Sequence, residues 1–412
     1  MEITKKNYNL HYKREEKFNI SNIKFVFSKN VEEKDITYTK LLIQMLENSN
    51  SVFETERDLV VGMEELLVYN YSLKVKRVGN HFRFVFSISY VNDKFSKTNL
   101  VENIMKFLSI ILFNPKTIGD SFDEKNLAEQ KKVIKNNIES VAEYPSSYAF
   151  DKFRKEIDQS GKFSYSTFGD KEILNNIDGK KLYEYYKSII NDWQLDIFLV
   201  GDTKPVEVEE HLKKMFSNRI SKVNLDKLNY EISSNEEVKE IVENYNTKQS
   251  ELIIGYTAND INFYEETAVI KILLGILNGA SGKLFKEVRE KNSFCYSILM
   301  DDYVNFGIFA IKTKISSKNY EKAKDLSISI VNEVKGGNIS LEFNVAKKNA
   351  IKAVLDRSDS IDSISSNLIK NTFQKGCTLE KEIDLLKSVT EADVVEFAKK
   401  LKLNTIYLLK EE

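Results

Sequence analysis

The chain has 412 residues, 42% of them hydrophobic and 11% aromatic, enough to fill the cores of roughly two to four folding units and too apolar for a disordered tail. Lys and Arg number 61 against 62 Asp and Glu, so a net charge of -1 leaves no global field to draw in nucleic acid or an anionic membrane.

The first residues, Met1 to Asn9, are polar and lack the apolar core of a secretion signal. Ile23 to Ser28 reads as a β-strand, and after a charged loop Tyr38 to Leu46 and Glu56 to Tyr69 read as helices. Tyr71 to Lys76 and His81 to Tyr90 read as paired strands around a turn at Gly79-Asn80. Ser96 to Leu112 carries an apolar stripe at Leu100, Ile104, Phe107, Leu108 and Ile111, the spacing of a packed helix. Its most apolar part, Met105 to Phe113, is far short of the ~20 residues that span a bilayer. Asp123 to Val141 is an amphipathic helix, and Pro145 opens another that runs to about Ile157. Ile177 to Tyr186 and then Leu195 to Val200 close the first half as helix and strand.

The order then repeats. Leu252 to Tyr256 reads as a strand, Glu265 to Leu277 and Gly282 to Lys291 as helices, and Tyr296 to Asp301 with Gly307 to Lys314 as a hairpin. Tyr320 to Val334 and Leu341 to Leu355 supply the long helices, and Val389 to Phe397 followed by Asn404 to Leu409 the closing helix and strand. Helix followed by strand also recurs by chance in mixed proteins, but here two separate segments repeat in one order. The expected fold class is α+β, two similar halves, each an antiparallel sheet covered by helices. The expected domains are 1–217, a linker over the polar, weakly periodic 218–246, and 247–412.

Little in the chain carries catalytic chemistry. Cys295 and Cys377 form no CxxC pair and no metal-ligand spacing, which fits a reducing compartment and a cytoplasmic location. Of three histidines, His11 and His81 fall on strands as isolated structural or solvent-facing residues. His211 follows Glu207 on a charged helix face, too few donors for a zinc site. Gly275 to Lys283 departs from a phosphate loop, with Leu277 at the first glycine position and Leu284 in place of Ser/Thr, and no G-x-S-x-G elbow exists.

Gly279 to Ser297 runs Gly-Ala-Ser-Gly-Lys-Leu-Phe-Lys-Glu-Val-Arg-Glu-Lys-Asn-Ser-Phe-Cys-Tyr-Ser. This segment resembles the second-half signature of the pitrilysin/insulinase-type zinc peptidases, which include the mitochondrial processing peptidases, and the two-half order matches over nearly the whole chain. The stretch from Asn9 to Tyr90 is most similar to a bacterial group of non-catalytic members, sometimes labelled elongation factor P aminopentanol modification-associated proteins.

The resemblance implies a clamshell of two halves. Active members carry H-x-x-E-H on the first helix, two imidazoles for zinc and a glutamate that polarises water, with a third ligand from a later glutamate. Here Lys40, Ile43 and Gln44 occupy the positions of the first His, the Glu and the second His, while Glu124 and Glu129 fall near the distal ligand and read as ordinary helix charges. A chain without these groups is expected to be no enzyme, to hold no metal or other cofactor, and to leave zinc to a partner subunit.

Arg289 and Tyr296 match the family's Arg/Tyr pair, which holds the substrate peptide near the scissile bond. Arg offers a fixed fork of donors to carbonyls, and Tyr a hydroxyl. The alternative is Arg289 paired with Glu290 or another surface carboxylate and Tyr296 packed in a sheet. The expected function is the non-catalytic, substrate-binding subunit of a heterodimeric zinc metallopeptidase acting on peptides, with a homologous zinc-bearing subunit and a peptide as partners. A peptide-binding or scaffold protein without a peptidase partner, and an independent enzyme with an unrecognised site, are the competing expectations.

Overall fold

The structure, a computed structural model, describes residues 2–47, 50–96, 99–159, 161–230, 232, 237–374 and 378–412. Cys377 and part of the segment read as a linker lie outside them.

In chain order, β1 (Glu2–Thr4), β2 (Asn9–Arg14) and β3 (Ile20–Asn30) precede helices α1 (Asp35–Glu47) and α2 (Glu56–Glu65). The hairpin β4 (Val68–Val78) and β5 (His81–Val91) leads to α3 (Leu100–Phe113), the short pair β6 (Thr117–Ile118) and β7 (Ser121–Phe122), and α4 (Glu124–Glu139). Then come α5 (Pro145–Ile157), α6 (Lys171–Asn175), α7 (Gly179–Asp192), β8 (Gln194–Gly201) and α8 (Pro205–Met215). The second series is β9 (Lys239–Tyr245), β10 (Ser250–Thr257), α9 (Phe263–Leu277), a π-helical turn (Phe285–Lys291), β11 (Cys295–Tyr303) and β12 (Ile308–Ile315). It ends with α10 (Tyr320–Lys335), α11 (Ser340–Asp356), α12 (Ile361–Gln374), α13 (Leu379–Ser388), α14 (Glu391–Lys400) and β13 (Lys402–Glu411).

These elements form two compact units. The first holds Met1–Glu139, Ser166–Leu228 and Ser360–Ile369; the second holds Ser140–Tyr165, Asn229–Asp359 and Lys370–Glu412. The α+β class holds. The sheets are mixed rather than purely antiparallel, because β2 pairs with β8, and β13 with β9, in parallel. The helix predicted to Tyr69 stops at Glu65, since the β-favouring run from Val68 joins the sheet as β4.

In the first unit the strand order is β1-β2-β8-β3-β5-β4. One face is apolar and buried, with Ile23, Phe25 and Phe27 on β3 beside Phe84, Phe86 and Ile88 on β5. Residues alternate across the pleat, so Asn22, Lys24 and Ser28 fall on the opposite face.

In the second unit the order is β11-β12-β10-β13-β9. Both faces of this sheet are apolar. Leu252, Ile254 and Tyr256 pack with α9 and the later helices, while Ile253, Ile308, Ala310 and Tyr407 pack with Ala149, Phe153 and Ile157 of α5. The sequence places α5 in the first half of the chain, yet its packing assigns it to the second unit.

Gly255 makes that packing possible: a Cβ there would stand 2.5 Å from Phe153 Cζ and 2.9 Å from Ile157 Cδ1. Gly255→Ala is therefore expected to lower stability by about 1–3 kcal/mol through overpacking. Denaturant unfolding checks this, and adding Phe153→Leu should recover part of the loss.

Candidate functional site

Helix α1 carries the residues that stand where zinc ligands would be. Its apolar face, Leu41, Leu42 and Met45, is buried, which fixes the outward positions of Lys40, Ile43 and Gln44. Lys40 Nζ donates to the Phe168 carbonyl at 3.2 Å and lies 5.6 Å from the Phe168 ring centroid. Burial draws its ammonium below the usual lysine range, but the amine is already engaged, and Ile43 has no donor atom. The residues do not fit zinc.

Glu124 and Glu129 are exposed on α4, which packs against α1. Glu124 Oε1 accepts a hydrogen bond from the Gly179 amide at 2.7 Å, so it serves the start of α7. Among the described residues no three His, Cys, Asp or Glu side chains come together as a metal site.

Two of the three histidines have structural partners. His11 is buried, with Nε2 2.9 Å from Asp196 Oδ1 and its ring stacked on Phe198 at 4.7 Å. Asn9 and Gln194 donate to the same carboxylate at 3.0 and 2.8 Å. His81 Nε2 lies 2.9 Å from the Asp226 carbonyl. Glu207 accepts from the Lys204 amide at 2.7 Å and caps α8, the helix that carries His211.

The second unit holds Arg289 and Tyr296. The stretch predicted as an ordinary helix from Gly282 to Lys291 is wound as a π-helix from Phe285. Leu284 and Val288 anchor it in the core. The turn before it is clamped to β11, because the Asn278 amide donates to the Met300 carbonyl at 2.8 Å and its Oδ1 accepts from the Met300 amide at 2.7 Å. At its end the Phe294 amide reaches back to the Val288 carbonyl at 3.0 Å, and Ser293 takes a positive φ of 54°. Single π-helical turns recur at functional sites because the wider turn re-aims side chains.

That winding brings the two residues together. The Arg289 guanidinium carbon lies 4.4 Å from the Phe285 ring centroid and 5.0 Å from that of Tyr296. Between Cys295 and Ile298 the pairing of β11 with β12 shifts register, so Tyr296 stands at an irregularity and is 78% exposed. Arg289 forms no ion pair with Glu290 or another described carboxylate. The Phe285 and Tyr296 rings position its guanidinium. Cys295 beside them is half-buried, and burial pushes its thiol up, against the pull of Thr313 and Arg289, so it is a poor nucleophile. The sequence signature located the pair; it could not show the π-turn or the ring stack.

Residues 176–349 match the family described as Peptidase M16 inactive domain. The chain is 25% identical to a protein of Bacillus subtilis (strain 168) called "Probable inactive metalloprotease YmfF", over 97% of this chain and 95% of that one. The fold is similar to the crystal structure of a conserved protein from Enterococcus faecalis V583, at a TM-score of 0.92 and 24% identity, covering 100% of this chain and 98% of that one. It is also similar to a peptidase M16 inactive domain from Pseudomonas fluorescens, at a TM-score of 0.82 and 16% identity, with 100% and 98% covered. The chain is thus similar to an M16 inactive domain over part of its length and, over nearly all of it, to a protein named as a probable inactive metalloprotease. No described helix is long and apolar enough to cross a membrane.

Proposed function

We propose that this M16-like chain is the non-catalytic, peptide-binding subunit of a heterodimeric zinc metallopeptidase. Its partner would be a homologous cytoplasmic subunit that bears the metal, within the group associated with elongation factor P modification. One contrast carries the reading. The helix that would hold zinc offers an engaged lysine and an isoleucine, while Arg289 keeps its donors free beside the exposed Tyr296. Arg289 would hold a peptide carbonyl through its planar fork, and the Tyr296 hydroxyl would donate to the same carbonyl. The backbone of the peptide would be held by strand addition at an open sheet edge.

Co-expression with a zinc-bearing homologue tests this. The expected result is a one-to-one complex that cleaves peptides, with zinc in the partner and none in this chain purified alone. A complex that forms and never cleaves, in any pairing, would favour a scaffold. Stoichiometric zinc in the isolated chain, with unaided cleavage, would overturn the proposal.

A further inference from the structure

On each sheet a helix lies against the face away from the main core, and the two helices are held by different chemistry. The units exchange short segments of chain. Ser140–Tyr165, with α5, interrupts the sequence of the first unit and belongs to the second, and Ser360–Ile369, with the start of α12, does the reverse. Apolar surface holds α5. Its Ala149, Phe153 and Ile157 are buried with Ile253, Ile308, Ala310 and Tyr407 of the sheet, and Phe153 fits the notch at Gly255.

The start of α12 is held mainly by polar groups. Asn22 and Lys24 of β3 share their face with the register partners Ser89 and Ser87 of β5, and with Val200 and the His11-stacked Phe198 of β8. Lys24 Nζ donates to Asp362 Oδ1 at 2.6 Å and to Ser366 Oγ at 3.4 Å. The apolar contribution is small: Ile361 and Ile364 are buried with Val200, and Phe18, Ile20 and Leu368 pack against them partly exposed. Lys24 is buried, whereas the Asp362 side chain that holds it is 62% exposed. Burial pulls the Lys24 ammonium down, and the charges of Lys74 and Lys76 act in the same direction. Ser365 of α12 is fully buried, and its hydroxyl has no hydrogen-bond partner among the described residues.

Covering an apolar face removes it from water and stabilises the fold in proportion to area. Covering Asn, Ser and Lys contributes little, and uncovering them bares no large apolar patch. Segments with few buried apolar contacts open at free energies below that of global unfolding. We propose that Ser360–Ile369 is a releasable strap, which lifts off the first sheet in a local opening while α5 stays seated and both sheets stay folded. The Lys24–Asp362 bond is its latch, a buried ammonium held by a carboxylate that water can reach. This device goes beyond the peptide-binding reading and does not depend on it.

The test is amide hydrogen–deuterium exchange of the purified full chain, comparing Ser365–Ile369 of the strap with Ala149–Ile157 of α5. The strap amides should exchange about a hundredfold or more faster. Their rate should not respond to urea below the unfolding transition, because a local opening exposes little new surface. Asp362→Lys sets a second ammonium against Lys24 and should speed strap exchange about tenfold or more, the loss of one hydrogen bond to a charged group, with α5 unchanged. Lys24→Met replaces the buried ammonium by an apolar chain and should slow strap exchange.

Strap amides as protected as those of α5 would overturn the proposal, as would exchange that rises with urea in step with α5. So would Lys24→Met that speeds strap exchange, or Asp362→Lys that leaves it unchanged. If Asp362→Lys also strips protection from α5, the segment holds the whole fold together and is no strap. Peptide cleavage enters none of these readings, so failure of the strap leaves the Arg289 and Tyr296 role standing, and failure of that role leaves the strap.

Discussion

Arg289→Ala is expected to cut peptide cleavage by the reconstituted pair by about 10²–10³-fold, the usual cost of removing one preorganised donor to a developing oxyanion. The effect should be large because the guanidinium is preorganised. Phe285 and Tyr296 hold it from two sides at 4.4 and 5.0 Å, so little side-chain entropy remains to be lost on binding. Arg289→Lys keeps the charge and loses the planar fork, and an intermediate loss is expected. Tyr296→Phe keeps the stacked ring and removes only the hydroxyl, so its effect isolates that group. Steady-state cleavage of a quenched fluorescent peptide measures all three, with one-to-one co-purification as the control for folding. Cleavage unchanged in Arg289→Ala, with the complex intact, would show that the guanidinium has no part in handling the peptide.

What the sequence made legible was local. The repeated order of elements came from hydrophobic periodicity and turn residues, and the Arg/Tyr pair from a linear signature within one stretch of chain. What stayed hidden depends on partners far apart in sequence. Pro145 and the helix after it were readable, but the notch at Gly255 that seats Phe153 joins residues about a hundred apart. Within the segment read as a linker, the alternation of Lys239–Tyr245 is a strand signal, yet its parallel pairing with β13 leaves no local mark. The π-winding beneath Arg289, and the Phe294 to Val288 bond just past its end, are not registered by helix periodicity. His11 gave no hint of Asp196, because the two meet only when β2 and β8 pair. The polar face of the first sheet was written in the alternation of Asn22, Lys24 and Ser28. That Arg83 and Lys76 share a row with Ser28 shows only in the register of β3, β5 and β4.

Asp35→Ala is expected to lower the stability of the first unit by about 3 kcal/mol, near the lower end of the loss seen when one partner of a buried ion pair is removed. Asp35 is fully buried at the start of α1 and accepts from Lys29 Nζ at 3.0 Å, the Tyr185 hydroxyl at 2.8 Å and the Glu32 amide at 2.7 Å. Burial pushes its carboxyl up despite these donors, so the charge is held at a cost that the three bonds offset. Truncation removes all three at once. It leaves the Tyr185 hydroxyl buried without that acceptor, and leaves Lys29, only 11% exposed, with Glu32 alone. The remaining Glu32 pair keeps the loss from reaching the upper end of the range. Asp35→Asn retains an acceptor for the tyrosine and the amide and should cost less, so the difference between the variants isolates the charge. A fall in the urea midpoint at constant slope is the expected result. A loss under about 1 kcal/mol for the alanine variant would mean that the apolar face of α1, rather than its anchored first turn, holds in place the helix that bears Lys40, Ile43 and Gln44.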